Sequence, residues 1–553
     1  MPKRAKQKKG NSMMQSAKRL SRLRLMTAAV LANLVGWAVV SDASAQESPV
    51  SGGTIIAALP SSTVQNFNTQ MTSTTAALFM ADVWADGLMS YDKDAKRIPR
   101  LATSWTVSED GKSYTFKIRD GVKWSDGEKF SASDVLFTLE SFGKFNTYLT
   151  KLMPLIEKAS APDDTTFTLQ LKQPLTAALD LFDKEVFPLM PKHVYEGTDI
   201  ATNPANLAPV GLGPFKFDSI AGGQSITFVR NTNYWEAPKP YLDSVVFALI
   251  PNAQQRLNAI VNGEIDWFWP ETVQIPATKA ASEKGVFKVI EIVRTAPQTA
   301  VIDLNLRRKP MSDVKVRQAL FHGLDRQRIV SDVYQGLAAP AKNAVPSGFK
   351  DLHDTSIDYG KLYNFDPVKA GKLLDDAGYP LKDGKRFSVE LAAYAMPPYD
   401  AIAKVVQAQW TALGINVKLA ALDQQIWLDK VYKQHDFDAS VTSLTGRSNP
   451  VLGVDRSFVC NSRDLPYTNP TGYCNPAFDE IAAKAASAPL GKQMPFYKTY
   501  AEIISKDLNQ LALTEARTYE AVSTKFENLD AQFNFSFNTH PNWAEAWLPK
   551  DRQ

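Results

Sequence analysis

A strand, a helix and a second strand follow one another between residues 387 and 422, and this order constrains the fold more than any other feature of the sequence. Residues 387–394 and 415–422 are predicted strands, and residues 401–413 form a predicted helix that Gly414 ends. Two strands joined by a helix lie parallel in one sheet, because the helix carries the chain back to the edge where the first strand began. The sequence therefore predicts the α/β class.

Shorter patterns predict antiparallel strands and a capped helix elsewhere in the chain. Residues 54–59 are a predicted strand, and residues 114–118 form another between Asp-Gly dipeptides, which favour the tight turns of β-hairpins. Ser131 stands three residues before Asp134, the spacing of a capping box, in which each side chain accepts a hydrogen bond from the other residue's backbone amide. We expect a helix to begin there.

The first 45 residues have the layout of a secretory signal. They carry nine Lys or Arg and a single acidic residue, Asp42, and an uncharged run over residues 25–40 precedes the small residues Ala43-Ser44-Ala45. The alternative is a transmembrane anchor, which needs roughly 20 apolar residues, and the run is shorter than that. We expect cleavage of this signal peptide before Gln46, export of the chain and a periplasmic location.

The net charge depends on that segment. Without it the chain has 53 basic and 57 acidic side chains, so the basic character of the full sequence disappears. A small negative charge gives no electrostatic reason to expect DNA, RNA or an anionic membrane as a partner. The remaining chain is long enough for two or three domains with a large buried core.

Cys460 and Cys474 are the only cysteines in the sequence. In an oxidising compartment a pair that closes a short loop stabilises the fold as a disulfide, whereas in the cytosol it would be reduced or bound to a metal. A zinc site needs about four Cys, His or carboxylate ligands, and no histidine lies closer to the pair than His435. Export therefore favours one disulfide and no metal.

The sequence lacks the motifs of common enzymes. Gly111-Lys112-Ser113 resembles the end of a phosphate-binding loop, but Thr106 occupies the position of its first glycine, and an Asp-Gly turn accounts for the three residues. The five histidines include no pair at the i, i+4 spacing of a helical zinc site. We therefore predict a protein that is not an enzyme, with no catalytic residue and no cofactor.

Several motifs stand in one order along most of the exported chain. Residues 114–135 read YTFKIRDGVKWSDGEKFSASDV. Further motifs lie at residues 211–217, 231–235, 263–267, 313–326 and 366–379. This series resembles the family 5 extracellular solute-binding proteins, which serve ABC importers of peptides, nickel, opines and some saccharides.

The resemblance implies a two-lobed periplasmic binding protein fold, type II-like, with an extra subdomain and a hinge between the lobes. The chain would cross between the lobes near Val301 and Glu515, and the ligand would lie between them, where closure removes water from both its sides. The expected boundaries are 1–45 for the signal peptide, 46–85 with 213–300 and 515–553 for the first lobe, 86–212 for the extra subdomain, and 301–514 for the second lobe.

The resemblance also implies ligand-binding residues. By similarity to positions that contact the ligand in the family, we assign Asn66, Phe67, Asn68, Thr74, Trp267, Trp269, Thr445 and Arg447, and we add Tyr394 from its place in the predicted sheet. The alternative for residues 267–269 is that they are partly buried in the core. In an extended segment, Trp267 and Trp269 would point to one face and Phe268 to the other. Tyr394 ends a parallel strand, where open α/β sheets form crevices.

Two anchors that dipeptide-type relatives use are missing. Those relatives hold the peptide's amino terminus with an aspartate-rich stretch, and the corresponding residues 442–450 contain Arg447 instead. The arginine that grips a peptide carboxylate in relatives is missing from residues 396–399. A guanidinium at position 447 would bind an anionic group of the ligand; the alternative is a solvated arginine or one paired with Asp455.

The sequence therefore predicts the substrate-binding protein of an ABC importer. We expect a monomer that captures a peptide-like or other polar organic solute, such as an opine or an oligosaccharide, and delivers it to permease subunits in the inner membrane. Within the family, the alternative is a receptor for nickel or another metal chelate. Outside transport, the alternative is a periplasmic chaperone.

Overall fold

The computed structural model describes residues 48–72, 74–92, 96–146, 148–149, 151–292, 298–444, 449–462, 468–489, 491–530 and 541–553. The signal segment, Thr445 and Arg447 lie outside these residues, so the expectations for them stay predictions. Among the helices of the described residues, none has the length and apolar character needed to cross a membrane.

Strands and helices alternate along the described chain. The strands are β1 Thr54–Leu59, β2 Met89–Tyr91, β3 Arg97–Pro99, β4 Ala102–Val107, β5 Ser113–Ile118, β6 Ile156–Asp163, β7 Thr166–Leu171, β8 Phe215–Ala221, β9 Ser225–Arg230, β10 Ser244–Leu249, β11 Trp267–Phe268, β12 Phe287–Ile292, β13 Gln298–Leu304, β14 Ala338–Pro340, β15 Ser388–Tyr394, β16 Asn416–Leu422, β17 Ala439–Leu444, β18 Gln510–Ala516 and β19 Thr518–Ser523. The helices are α1 Thr75–Trp84, α2 Ala132–Phe142, α3 Lys192–Tyr195, α4 Ala253–Val261, α5 Ile275–Ser282, α6 Val314–His322, α7 Arg326–Asp332, α8 Tyr359–Leu362, α9 Pro367–Asp376, α10 Tyr399–Ala412, α11 Gln424–Leu428, α12 Pro476–Ser487 and α13 Met494–Asp507.

Three larger sheets organise these strands. The first sheet has seven strands in the order β12-β19-β11-β1-β10-β9-β8, with β1 parallel to β10 and β11. The second sheet has six strands in the order β14-β18-β13-β17-β15-β16, with β15 parallel to β16 and β17. The third sheet is antiparallel, with the order β4-β5-β7-β6, and β2 and β3 form a separate pair.

The local patterns of the sequence form the expected elements. β15, α10 and β16 make the predicted unit with parallel strands, and Gly414, with a φ of +86°, follows the end of α10. α10 begins at Tyr399, two residues earlier than expected, directly after Pro398, whose fixed φ suits a helix start. The Ser131 and Asp134 capping box opens α2, because each side chain accepts a hydrogen bond from the other residue's backbone.

Each large sheet packs against its own helices. On the second sheet, Trp410 of α10 is fully buried and donates its indole N–H to the carbonyl of Leu320 on α6, at 3.1 Å. On the first sheet, Phe79 and Trp84 of α1 and Trp543 of the C-terminal segment are buried on one face. Burial of apolar surface by side chains such as these is the main favourable contribution to holding each layer together.

The chain passes between the first and second sheets twice, from β12 to β13 and from β18 to β19. Ile292 pairs with Thr518 in the first sheet, and Gln298 pairs with Ala516 in the second. Both crossovers therefore leave each sheet on the same side, where these strands begin or end. We call this side of a sheet its crossover edge. Only Arg517 separates β18 from β19, and consecutive Cα atoms lie about 3.8 Å apart. The two edges therefore come within about 8 Å of each other at this crossover.

Candidate functional site

The crossover edges are also the edges at which the parallel strands end. In the first sheet β1, β10 and β11 end at Leu59, Leu249 and Phe268, and in the second sheet β15, β16 and β17 end at Tyr394, Leu422 and Leu444. Open α/β sheets bind ligands outside the carboxyl ends of their parallel strands. We call the space between these two facing edges the crevice, and it is the candidate ligand site.

On the first sheet, two tryptophans stand at the end of β11. Trp267 is fully buried, packs on Phe79 with ring centroids 5.1 Å apart, and donates its indole N–H to the carboxylate of Glu520 at 3.0 Å. Trp269 also packs on Phe79, at 5.4 Å, but keeps part of its surface exposed. Phe268 lies in a different apolar cluster, as the alternation predicts. Trp267 thus follows the core alternative, whereas Trp269, the residue after β11, keeps part of its surface accessible.

A buried arginine holds the segment that carries Trp269. The Arg256 guanidinium donates to the carbonyls of Ile250 and Pro251, at 2.7 and 2.8 Å, and to a carboxylate oxygen of Glu271, at 2.9 Å. Burial lowers the pKa of Arg256, and the pairing with Glu271 opposes that shift. The arginine therefore joins the end of β10 to the end of β11. This role was not predicted from the sequence, because an arginine within a short helix carries no distinguishing pattern.

The predicted site residues in the loop after β1 differ in burial: some pack inside the protein, and others stay accessible. Phe67 is fully buried, with its ring centroid 5.8 Å from that of Phe217. Asn68 is buried, and its amide donates to the side-chain oxygen of Asn206 at 2.9 Å. Asn66 remains half-buried and Thr74 exposed. The packing therefore leaves Asn66 and Thr74 as the accessible side chains of this group.

On the second sheet, Tyr394 forms part of an aromatic group at the end of β15. Its half-buried ring stacks on Tyr399 and on Trp427, with centroid distances of 6.0 and 6.2 Å. Burial raises the pKa of Tyr394 and of Tyr399, so both hydroxyls are neutral. The Tyr399 hydroxyl accepts a hydrogen bond from the Gln298 side chain at 2.8 Å. The side chains around Tyr394 are therefore an aromatic group with neutral hydroxyls.

Tyr399, Trp427 and Gln298 were not predicted as site residues. They come from α10, α11 and the first residue of β13, and only the sheet order brings them to one edge. Tyr394 alone had a sequence signal, because it ends a predicted parallel strand.

The predicted disulfide between Cys460 and Cys474 is confirmed. Their Cα atoms lie 4.5 Å apart, and the Cys460 amide donates to the Asp479 carboxylate at 3.1 Å. Among the described residues, these three are also the group whose side-chain atoms lie close enough together to be potential metal ligands. Two of the three ligand atoms are sulfurs bonded to each other, so the group does not fit a metal ion.

A separate cavity of about 230 Å³ lies away from the crevice, between the β2–β3 pair and residues 541–545. Arg100 contributes to its wall and pairs with the buried Asp86 at 2.8 Å and with Glu236 at 3.3 Å. Lys239 joins Glu236 to Glu545. These charges satisfy one another, so this cavity is held by ion pairs within its own wall.

Comparison with known families agrees with this architecture. Residues 96–461 match the family described as bacterial extracellular solute-binding proteins, family 5, middle region. The match spans more than half of the chain.

Individual relatives resemble the chain over most of their length. The sequence is 27% identical to a dipeptide-binding protein of Escherichia coli, covering 77% of this chain and 82% of that protein. It is 28% identical to the glutathione-binding protein GsiB of Pectobacterium atrosepticum, covering 82% and 88%. The structure superposes on the oligopeptide-binding protein AppA of Bacillus subtilis, solved with a nonapeptide, with a TM-score of 0.76 and 25% identity over 91% of this chain and 100% of that one.

Proposed function

Because the chain belongs to the bacterial extracellular solute-binding proteins, family 5, we propose that it captures a solute in the crevice and delivers it to the permease of an ABC importer. The observation that carries the proposal is that the parallel strands of both sheets end on the sides that the two crossovers join. A solute held there contacts both sheets, and closure of the edges removes its water.

We propose that the two lobes follow the expected boundaries. The first lobe comprises residues 46–85, 213–300 and 515–553, and strands from all three segments share the first sheet. The second lobe comprises residues 301–514 and holds the second sheet, although β13 already begins at Gln298 and β18 continues to Ala516. Residues 86–212 form the extra subdomain. The two crossovers act as the hinge.

For the ligand we propose a peptide-like or other polar organic solute. Curated relatives bind a dipeptide and glutathione, and the aromatic group around Tyr394 supports contact with an uncharged part of such a molecule. Only residues 395–398 separate β15 from α10, and two of them are prolines. This short connection contains no arginine for a peptide carboxylate, so an acidic group would need another partner.

We propose that Arg447 is that partner. Leu444 ends β17 at the crevice edge, and a guanidinium close behind it would bind a carboxylate of the solute with two parallel hydrogen bonds. Glutathione and the opines carry such groups. Asp455, the alternative partner of Arg447, pairs with Lys151 at 3.0 Å.

Calorimetric titration of the purified protein with single solutes tests the function and the ligand class together. The panel contains a dipeptide, glutathione, an opine, an oligosaccharide and a nickel–histidine chelate. We expect one of the organic solutes to bind and to remain chemically unchanged after incubation. Binding of the nickel chelate alone would support the nickel alternative, and conversion of any solute into a product would contradict the role of a binding protein.

A further inference from the structure

The extra subdomain is fastened to the first lobe. Both of its ends continue into that lobe, and the Asn68 amide bonds to Asn206 of the subdomain at 2.9 Å. A Cβ atom at Gly211 would lie 1.9 Å from the carbonyl oxygen of Trp84, so α1 and the end of the subdomain are in direct backbone contact. The subdomain must therefore move with the first lobe.

The same subdomain also touches the second lobe, through apolar side chains. Val451 and Leu452, which follow β17, have exposed fractions of 1% and 7%. They belong to the buried cluster of the subdomain, together with residues such as Leu149 and Leu152. Side chains of the second lobe thus complete the subdomain's core.

Polar contacts lie beside this apolar contact. The Lys151 ammonium of the subdomain pairs with the Asp455 carboxylate of the second lobe at 3.0 Å, and the Asp455 side chain is only 1% exposed. The Thr176 amide donates to the carbonyl of Ala486 at 2.7 Å, and its hydroxyl donates to the carbonyl of Ala488. The contact is therefore specific in geometry as well as apolar.

We infer that these residues form a latch, remote from the crevice, that closes when the two lobes close and determines how tightly the solute is held. The inference rests on the proposed clamp function, because opening at the crossovers moves the subdomain away from the second lobe. Its residues are Lys151 and Thr176 on the subdomain, and Val451, Leu452, Asp455, Ala486 and Ala488 on the second lobe.

The latch acts on affinity without touching the solute. A solute that binds only the closed form has an apparent dissociation constant equal to its intrinsic one divided by the fraction of protein that is closed. Contacts that favour the closed form raise the closed fraction, tighten apparent binding and slow release of the solute. Lys151 and Asp455 are therefore affinity-determining residues at a distance from the ligand.

The test uses the full exported protein without any solute. Lys151→Met removes one charge of the pair and keeps the aliphatic stem, and Leu452→Ala removes apolar contact. We expect each variant to increase the radius of gyration in small-angle X-ray scattering. We also expect hydrogen exchange of the Thr176 amide to become at least about tenfold faster, since removing one partner of a charge pair with one buried side leaves the other charge unpaired.

Lys129→Met is the matched control, because Lys129 pairs with Asp164 inside the subdomain at 2.7 Å, with both side chains exposed. It should change neither measurement. An unchanged radius of gyration in both latch variants, with or without faster exchange at Thr176, would mean that the contact does not control opening of the lobes and would overturn the latch. If the variants open the protein but no solute of the calorimetric panel binds, the latch stands and the transport proposal fails.

Discussion

Asp303 is a buried acid near the end of β13. Its side chain is 2% exposed, and one carboxylate oxygen accepts a hydrogen bond from Gln510 of β18 at 2.7 Å. Burial raises the pKa of this carboxyl from 3.8 to about 6. The folded state therefore holds the proton of Asp303 more tightly than the unfolded state does. The contribution of this proton to the free energy of unfolding is complete below the unfolded pKa and is lost as the pH rises through about 6.

Asp303→Asn should therefore stabilise the protein at neutral pH. The amide keeps the acceptor for Gln510 and removes the buried charge, so the free energy of unfolding should rise by roughly 1–3 kcal/mol at pH 7 and hardly change near pH 4. Urea denaturation at both pH values measures this. Asp332→Asn is the control, because hydrogen bonds from Ser331 and Arg328 lower the pKa of Asp332. An equal gain in both variants would contradict the assignment.

Trp269 directly follows β11 and, unlike Trp267, keeps part of its surface exposed. If its ring contacts the solute, Trp269→Ala should weaken binding by roughly 1–3 kcal/mol, the scale for a buried aromatic side chain. Calorimetry with the solute that binds wild type gives the value. Trp105→Ala, which removes a half-buried ring of β4 in the subdomain, should leave affinity unchanged. Wild-type affinity in folded Trp269→Ala would mean that this ring does not contact the solute and is part of the core.

At the scale of elements, the disulfide closes a short loop before α12. Its cysteines are 14 residues apart in sequence, and the backbone amide of Cys460 donates a hydrogen bond to the Asp479 carboxylate on that helix. Replacing both cysteines by serine should lower the free energy of unfolding by about 3 kcal/mol, the chain-entropy value for a loop of this length. Thermal and urea denaturation measure the loss. Reductant should weaken wild type in the same way and leave the double variant unaffected; equal stability of all forms would contradict a structural role.

At the scale of the whole molecule, closure of the crevice is measurable. A solute that contacts both lobes favours the closed form by its difference in affinity for the two forms. Adding the solute that binds in calorimetry should therefore reduce the radius of gyration and, through Trp269, change the tryptophan fluorescence of the protein. Small-angle scattering at saturating solute makes the comparison, with a non-binding solute of the panel as control. Binding without any contraction would argue against a hinge at the crossovers.

Export and oxidation are also properties of the whole chain. The basic and apolar layout of residues 1–45 predicts cleavage before Gln46, and the bonded cysteines predict no free thiol. Intact-mass measurement of the exported protein, with and without alkylation, tests both. A chain that keeps residues 1–45 in the membrane fraction would contradict the cleaved signal, and two alkylated thiols would contradict the disulfide.

Sequence alone determined the features that depend on neighbouring residues. β1 spans the predicted residues 54–59, the capping box opens α2, and residues 387–422 form the parallel unit. Each of these elements is set by side-chain periodicity, by the missing amide of proline or by a glycine φ, all of which operate within one or two turns of chain. The motif order predicted the family for the same reason, because each motif is a local stretch.

Only the tertiary structure decided which of these residues meet at the crevice. Trp267 and Trp269 look equivalent in sequence, yet the packing of Phe79 and Glu520 buries the first fully and leaves part of the second exposed. The Lys151 and Asp455 pair joins residues 304 positions apart. Such contacts are fixed by strand order and by the crossovers between sheets, and the free energy of a contact between distant residues leaves no periodic signal in the sequence around either one.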